Sequence, residues 1–103
     1  MTHKKLGLNN SLVEFVGAYD GIHFIQFLFS YDTPVAVFIN SRYGAEGVYY
    51  TTNKKWSRTT TFHINQWLGG NNARELNQDV LNVLYEGCES KCKHITYASD
   101  MYF

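Results

Sequence analysis

Alternating apolar and polar residues dominate the first half of the chain. Over residues 12–19 the alternation places Val13 and Phe15 on one side and Glu14 on the other, which is typical of a half-buried β-strand. The Asp20-Gly21 pair that follows predicts a two-residue hairpin turn, because these residue types tolerate the positive φ angles of such turns. The pattern therefore predicts a strand that turns directly into a second one.

The second predicted strand, residues 22–31, carries apolar residues on both faces of its period-two pattern. We expect a central strand that is covered on both sides. A turn at residues 32–34 leads into a third strand at residues 35–39. A fourth strand, at residues 47–52, should point Tyr49 and Tyr50 to opposite faces of the sheet.

After residue 56 the hydrophobic period changes to that of a helix. Ile64, Trp67 and Leu68 have the i, i+3, i+4 spacing of one helical face. Thr59 or Thr60 is predicted to cap the start of this helix, and the glycine pair after residue 68 is predicted to end it.

A second helix is predicted to begin after a cap at Asn71 or Asn72 and to run to about residue 85, with Gly87 at its left-handed end. Its predicted apolar stripe consists of Leu76, Val80, Val83 and Leu84. Residues 95–97 predict a short edge strand.

Strands followed by helices predict an α+β fold, with an antiparallel sheet of about four strands and two helices packed on one face. We expect residues 1–11, which are polar, to form a flexible N-terminus, and residues 12–103 to form a single α+β domain. The second apolar face of the strand at residues 22–31 then needs a cover. Either the N-terminal segment or a second subunit supplies it, so a homodimer is one expectation.

Composition excludes a disordered chain and a strongly charged one. Hydrophobic residues make up 45% of the 103 residues, and nine Lys and Arg balance nine Asp and Glu. A neutral chain disfavours both polyanion binding and mimicry of nucleic acid. The N-terminus has no apolar segment typical of a signal peptide, and no apolar run is long enough to span a bilayer, so we expect a cytoplasmic protein without membrane contact.

Cys88, Cys92 and His94 form a Cys-x3-Cys-x-His cluster, in which zinc would need a fourth ligand from His63, His23 or His3. Structural zinc sites usually contain Cys-x2-Cys, so we expect two reduced thiols, no metal and no cofactor. His63 has no recognisable nucleophile near it in the sequence, and a helix-face histidine that bonds a neighbouring loop is the favoured interpretation. We therefore expect no enzymatic activity.

Three cations surround Trp56 just before the first predicted helix. Lys54, Lys55 and Arg58 lie where a helix N-terminus favours anions, and cations interleaved with an aromatic residue also occur in grooves for single-stranded nucleic acid. The alternative is a solvated loop. Tyrosine, tryptophan and arginine also anchor protein interfaces. The predicted partner-binding residues are Lys54, Lys55, Trp56, Arg58, Tyr49 and Tyr50.

The most distinctive segments of the chain are SYDTPVA at residues 30–36, YYTT at 49–52 and KWSRTTTFHINQWL at 55–68. In these segments the chain resembles a family of small uncharacterised proteins and domains from phages and mobile elements. The resemblance implies a context in which short proteins act on host defence by binding, as anti-CRISPR inhibitors do. We expect a phage-encoded inhibitor of a host protein, with a CRISPR effector nuclease as the partner, in the host-cell cytoplasm. The alternative is a small nucleic-acid-binding accessory protein that uses the loop at residues 54–58.

Overall fold

The chain folds around one six-stranded sheet. The computed structural model describes residues 2–5, 10–19, 22–41 and 47–92. The strands are β1 (Thr2–Lys5), β2 (Asn10–Tyr19), β3 (Ile22–Ser30), β4 (Thr33–Ser41), β5 (Val48–Thr52) and β6 (Ala73–Leu76), and the helices are α1 (Arg58–Leu68) and α2 (Gln78–Cys92). Strand order follows the sequence; β1 to β5 are antiparallel and β6 runs parallel to β5. The predicted α+β class, with a mainly antiparallel sheet and two helices, is confirmed.

The first hairpin has the predicted strand pairing. Tyr19 pairs with Ile22, which leaves two residues for the connection. The predicted Asp20-Gly21 turn itself lies outside the described residues. Val13 and Phe15 are buried, at 2% and 0% exposure, as their alternation predicted.

The second hairpin turns one residue earlier than predicted. Ser30 pairs with Thr33, so the loop consists of Tyr31 and Asp32, and Pro34 already belongs to β4. Tyr31 has a φ of 57°, the left-handed conformation that a two-residue hairpin loop requires.

The two helices lie on opposite faces of the sheet, which corrects the predicted packing on one face. Consecutive strand residues point to opposite faces. Phe27 of β3 belongs to the cluster that contains Leu81 of α2, whereas its neighbour Leu28 belongs to the cluster against which Ile64 and Trp67 of α1 pack. Both apolar faces of β3 are therefore covered within the chain. The argument for a homodimer, which needed an uncovered face, loses its basis.

Helix α1 begins and ends at residues with defined capping geometry. Ser57, not Thr59 or Thr60, is the N-cap, and its hydroxyl accepts a hydrogen bond from the Thr60 amide at 3.3 Å. Gly69 ends the helix with a φ of 57°, as predicted, and its amide donates to the Asn65 carbonyl. The N-cap thus lies two residues before the earlier of the two predicted caps.

Helix α2 differs more from the prediction. Residues 73–76 pair with β5 as a strand, so the helix starts later, after Asn77, whose side-chain oxygen accepts from the Asp79 amide at 2.8 Å. Its core-facing stripe consists of the buried Leu81 and Cys88 and the partly buried Leu84 and Tyr85. Val80 and Val83, which were predicted to be buried, are 49% and 66% exposed. Gly87 lies inside the helix rather than after it.

Regular structure also begins earlier than predicted. Thr2–Lys5 pairs with β2 as an edge strand, and β2 itself begins at Asn10, whereas residues 1–11 were predicted to be flexible. Edge strands tolerate polar residues, because backbone hydrogen bonds form the pairing and one edge faces water. The predicted edge strand at residues 95–97 lies outside the described residues.

Candidate functional site

The segment between β5 and α1 is an exposed loop with two fixed ends. We call residues 53–57 the cationic loop. At its start, the Asn53 amide donates to the Leu76 carbonyl at 2.8 Å, and the Lys54 amide donates to the Thr52 hydroxyl at 3.1 Å. At its end, the N-cap Ser57 joins it to α1. The backbone of this exposed loop is therefore fixed at both ends.

Trp56 is the central side chain of the cationic loop and is 36% exposed. Its indole Nε1 donates to Gln78 Oε1 at 3.3 Å. Gln78 is in turn held by bonds from its Nε2 to the Pro34 carbonyl at 2.7 Å and to Asn82 Oδ1 at 3.1 Å. The ammonium of Lys54 lies 4.3 Å from the indole ring centroid, within cation–π distance. The indole ring is therefore oriented from both the loop and α2.

Two grooves flank Trp56. The first groove, about 490 Å³, lies between the β3–β4 turn, the cationic loop and the start of α2. The second groove, about 470 Å³, lies between the cationic loop, α1 and the edge formed by β5 and β6. Lys54 and Trp56 line both grooves, and Lys55 lines the second. Three of the six predicted binding residues therefore meet at one surface.

The grooves carry charges of both signs. Asp32 and Asp79 line the first groove together with Lys54, and Glu75 lines the second together with Lys54 and Lys55. All three carboxylate side chains are exposed. An incoming polyanion would therefore meet repulsion as well as attraction.

The remaining predicted binding residues lie elsewhere. Arg58 is exposed in the first turn of α1 but lines neither groove. Tyr49 and Tyr50 point to opposite faces of the sheet, as predicted, and both are half-buried. Tyr49 packs against Trp67 with ring centroids 5.2 Å apart, and Tyr50 packs against the core on the α2 side. Intramolecular packing thus accounts for the two tyrosines.

A buried polar cluster was missed by the sequence analysis. Ser30 Oγ lies 2.9 Å from Thr60 Oγ1 and 2.9 Å from Nδ1 of His63, and all three residues are buried. A serine beside a histidine is the arrangement of a nucleophile and its base. However, Ser30 is only 3% exposed, and neither Ser30 nor His63 lines the two grooves. The cluster therefore joins α1 to the end of β3.

Of the three candidate zinc ligands, only Cys88 has a side chain that the structure describes. Cys88 is fully buried in the core on the α2 side. His94 and the side chain of Cys92 lie outside the description. Among the residues that are described, no group of three or more His, Cys, Asp or Glu could hold a metal ion. Within the same part of the chain, no helix is long and apolar enough to cross a membrane.

Residues 3–83 match a family of unknown function, DUF8033. The chain belongs to this family. The matched region contains every residue that lines the two grooves. No curated protein and no solved structure matches the chain. Because the family description names no activity or partner, the phage origin and the inhibitor function stay predictions.

Proposed function

We propose that the protein is a non-catalytic binding protein that holds another protein through the cationic loop and its two grooves. The main support is Trp56, which is partly exposed, braced by Gln78 and flanked by both grooves. Tryptophan is among the residues that contribute most binding energy at protein interfaces. A braced ring also loses little conformational freedom on binding.

The mixed charge of the grooves favours a protein partner over a nucleic acid. Nucleic-acid binding depends on neutralising several phosphates, and Asp32, Asp79 and Glu75 oppose this at the same surface. A protein partner supplies charges of both signs and pairs with such a surface. The burial of the Ser30 hydroxyl is the reason that the proposal contains no catalytic step.

The partner that we propose is a host defence protein, and the resemblance to phage-type proteins directs the first test to CRISPR effector nucleases. Purified nucleases, with and without guide RNA, would be immobilised and the affinity of the protein measured. Replacement of Trp56 by alanine should lower the affinity about 30-fold, which corresponds to a hot-spot loss of about 2 kcal/mol. Lys55→Glu should lower it about tenfold, because Lys55 lines the second groove and the reversed charge faces the partner.

Two control variants match these changes at other places on the surface. Phe62→Ala removes another exposed aromatic ring, and Arg74→Glu makes the same charge change in β6. Neither residue lines a groove, so both controls should bind like the wild type. Equal affinity of Trp56→Ala and Phe62→Ala for a nuclease that the wild type binds would refute the proposed surface. Failure of every nuclease to bind would refute the proposed partner class.

The runner-up is a nucleic-acid-binding protein, favoured by the exposed Lys54, Lys55 and Arg58 around Trp56. Binding of single-stranded DNA and RNA would be measured over a range of salt concentrations. Our proposal expects weak binding throughout. Micromolar or tighter binding at about 0.15 M salt, removed by changing the three cations to glutamate, would establish the runner-up instead.

A further inference from the structure

A cation already lies against the aromatic ring that lines the first groove. The Lys54 ammonium lies 4.3 Å from the centroid of the Trp56 ring. The face of an indole ring attracts cations because its π-electron density is negative. Lys54 belongs to the exposed loop and also lines the groove, so its side chain is an internal occupant that an incoming cation could replace.

Two carboxylates from separate elements line the same groove. Asp32 belongs to the β3–β4 turn, and Asp79 to the first turn of α2. Against these two acidic residues, Lys54 is the one basic residue that lines the groove. The charges that line the groove therefore leave a net negative charge, which attracts a further cation.

The wall that carries the indole is rigid. Gln78 is 9% exposed and accepts from the Trp56 indole while donating to the Pro34 carbonyl and to Asn82. These bonds tie together the loop, β4 and α2, all of which line the groove. A ligand therefore meets a preformed ring face, and the volume of about 490 Å³ is within the range of ligand pockets, about 300 to 1,000 Å³.

We propose that the first groove is a receptor for the guanidinium group of an arginine side chain on the partner protein. The guanidinium displaces Lys54, stacks on Trp56 and pairs with the carboxylates of the groove. Guanidinium is a better occupant than ammonium because it is planar, stacks on aromatic faces, is weakly hydrated and bonds carboxylates in a bidentate manner. This inference rests on the proposed function, because it names the chemical group of the partner that the surface recognises.

The test uses the indole N–H signals of the nitrogen-15-labelled protein. Its two tryptophans give one probe and one internal control: Trp56 lines the groove, whereas the Trp67 Nε1 donates to Gln26 at 2.9 Å on the α1 face of the sheet. N-acetylarginine amide should shift the Trp56 signal saturably and leave the Trp67 signal in place. The citrulline analogue, which has a similar shape and no charge, should shift neither. An equal response to both compounds, or no response to arginine, would overturn the inference.

Two substitutions in the groove should change the affinity for arginine in opposite directions. Lys54→Ala removes the internal occupant and should tighten arginine binding about two- to fivefold, the scale of an exposed cation–π contact. Asp32→Asn removes one carboxylate outside the helices and should weaken binding by a similar factor. Arg74→Ala, a change at an exposed cation of β6 that lines neither groove, is the control and should bind like the wild type. Weaker arginine binding by Lys54→Ala would contradict displacement.

Inorganic phosphate distinguishes the receptor from an anion site at the start of α2. A phosphate-induced shift of the Trp56 signal that is saturable and is lost in Lys54→Ala would overturn the inference, because it would assign the groove to anions.

The arginine titration and the nuclease assay test the two proposals separately. If Trp56→Ala abolishes partner binding but arginine amide does not bind, the proposed function stands and the arginine receptor is refuted. If arginine amide binds but Trp56→Ala and Phe62→Ala bind the partner equally, the receptor stands and the proposed interface is refuted.

Discussion

Ser30 Oγ and His63 Nδ1 lie 2.9 Å apart although the two residues are 33 positions apart in the sequence. Thr60, one helical turn before His63, shares the same serine hydroxyl. Buried polar groups are costly when they lack a partner, and here each one bonds another. The cluster therefore fixes α1 in one position against the end of β3.

Thr60→Ala should destabilise the protein by about 1 to 3 kcal/mol, because the buried Ser30 hydroxyl loses its hydrogen bond to the Thr60 hydroxyl. The neighbouring Thr59 is exposed. Thr59→Ala is the matched control and should change the free energy of unfolding by less than about 0.5 kcal/mol. Urea denaturation measures both. Similar midpoints for the two variants would show that the cluster contributes little.

Ser57→Ala should destabilise the protein by about 1 kcal/mol, because the Thr60 amide loses its capping acceptor. Ser57→Asp keeps an acceptor and adds a favourable charge at the helix N-terminus, so it should retain the stability of the wild type. Thermal unfolding of the two variants makes the comparison. A wild-type midpoint for Ser57→Ala would indicate that another residue caps α1.

The thiol of Cys88 should resist labelling in the native protein, because the residue is completely buried in the core. A Cys92→Ser variant makes Cys88 the sole thiol, since the chain contains two cysteines. A thiol reagent should react slowly with this variant in buffer, where the opening of α2 sets the rate. In denaturant the reaction should be rapid. Rapid reaction in buffer, with circular dichroism unchanged, would contradict the packing of α2.

Burial is the main cause that raises the pKa of Tyr85 above its ordinary value of 10.0. The hydrogen bond to Glu89 and the charge of Glu89 raise this pKa further. The folded protein holds this proton more tightly than the unfolded chain does. The resulting stability is present below about pH 10 and is lost as the pH rises toward the raised pKa. Tyr85→Phe does not ionise, so it should lose less stability than the wild type between about pH 8 and pH 11.

Tyr31→Phe, a change at an exposed tyrosine, is the control for this experiment. Its urea midpoint should fall with pH in parallel with that of the wild type. If Tyr85→Phe also follows the wild type, ionisation of Tyr85 does not contribute to alkaline unfolding.

The strand pattern was predictable because alternation is a local property. Val13 and Phe15 on the buried face of β2, and Tyr49 and Tyr50 on opposite faces of β5, follow from a period of two alone. Gly69 at the end of α1 is equally local, because the left-handed conformation of that position favours glycine. These features need no knowledge of the neighbouring strands or helices.

Strand β6 and the buried face of α2 were not predictable in this way. The residues of β6, Ala73–Leu76, have no strand pattern and form a strand only because β5 offers an edge for pairing. In α2 both the predicted and the observed stripes have helical spacing. The packing of α2 against the sheet buries Leu81 and Cys88 and leaves Val83 exposed to solvent.

The candidate site also has one part that the sequence determined and one that only the tertiary structure decided. The sequence by itself determined an exposed loop with Lys54, Lys55 and Trp56, because a short polar segment between a strand and a helix must lie at the surface. Only the tertiary structure placed Asp32 and Asp79 beside Trp56, since three segments distant in the sequence meet there. The physical reason is that periodicity specifies which side of an element is apolar, whereas the packing of whole elements specifies which side chains become neighbours.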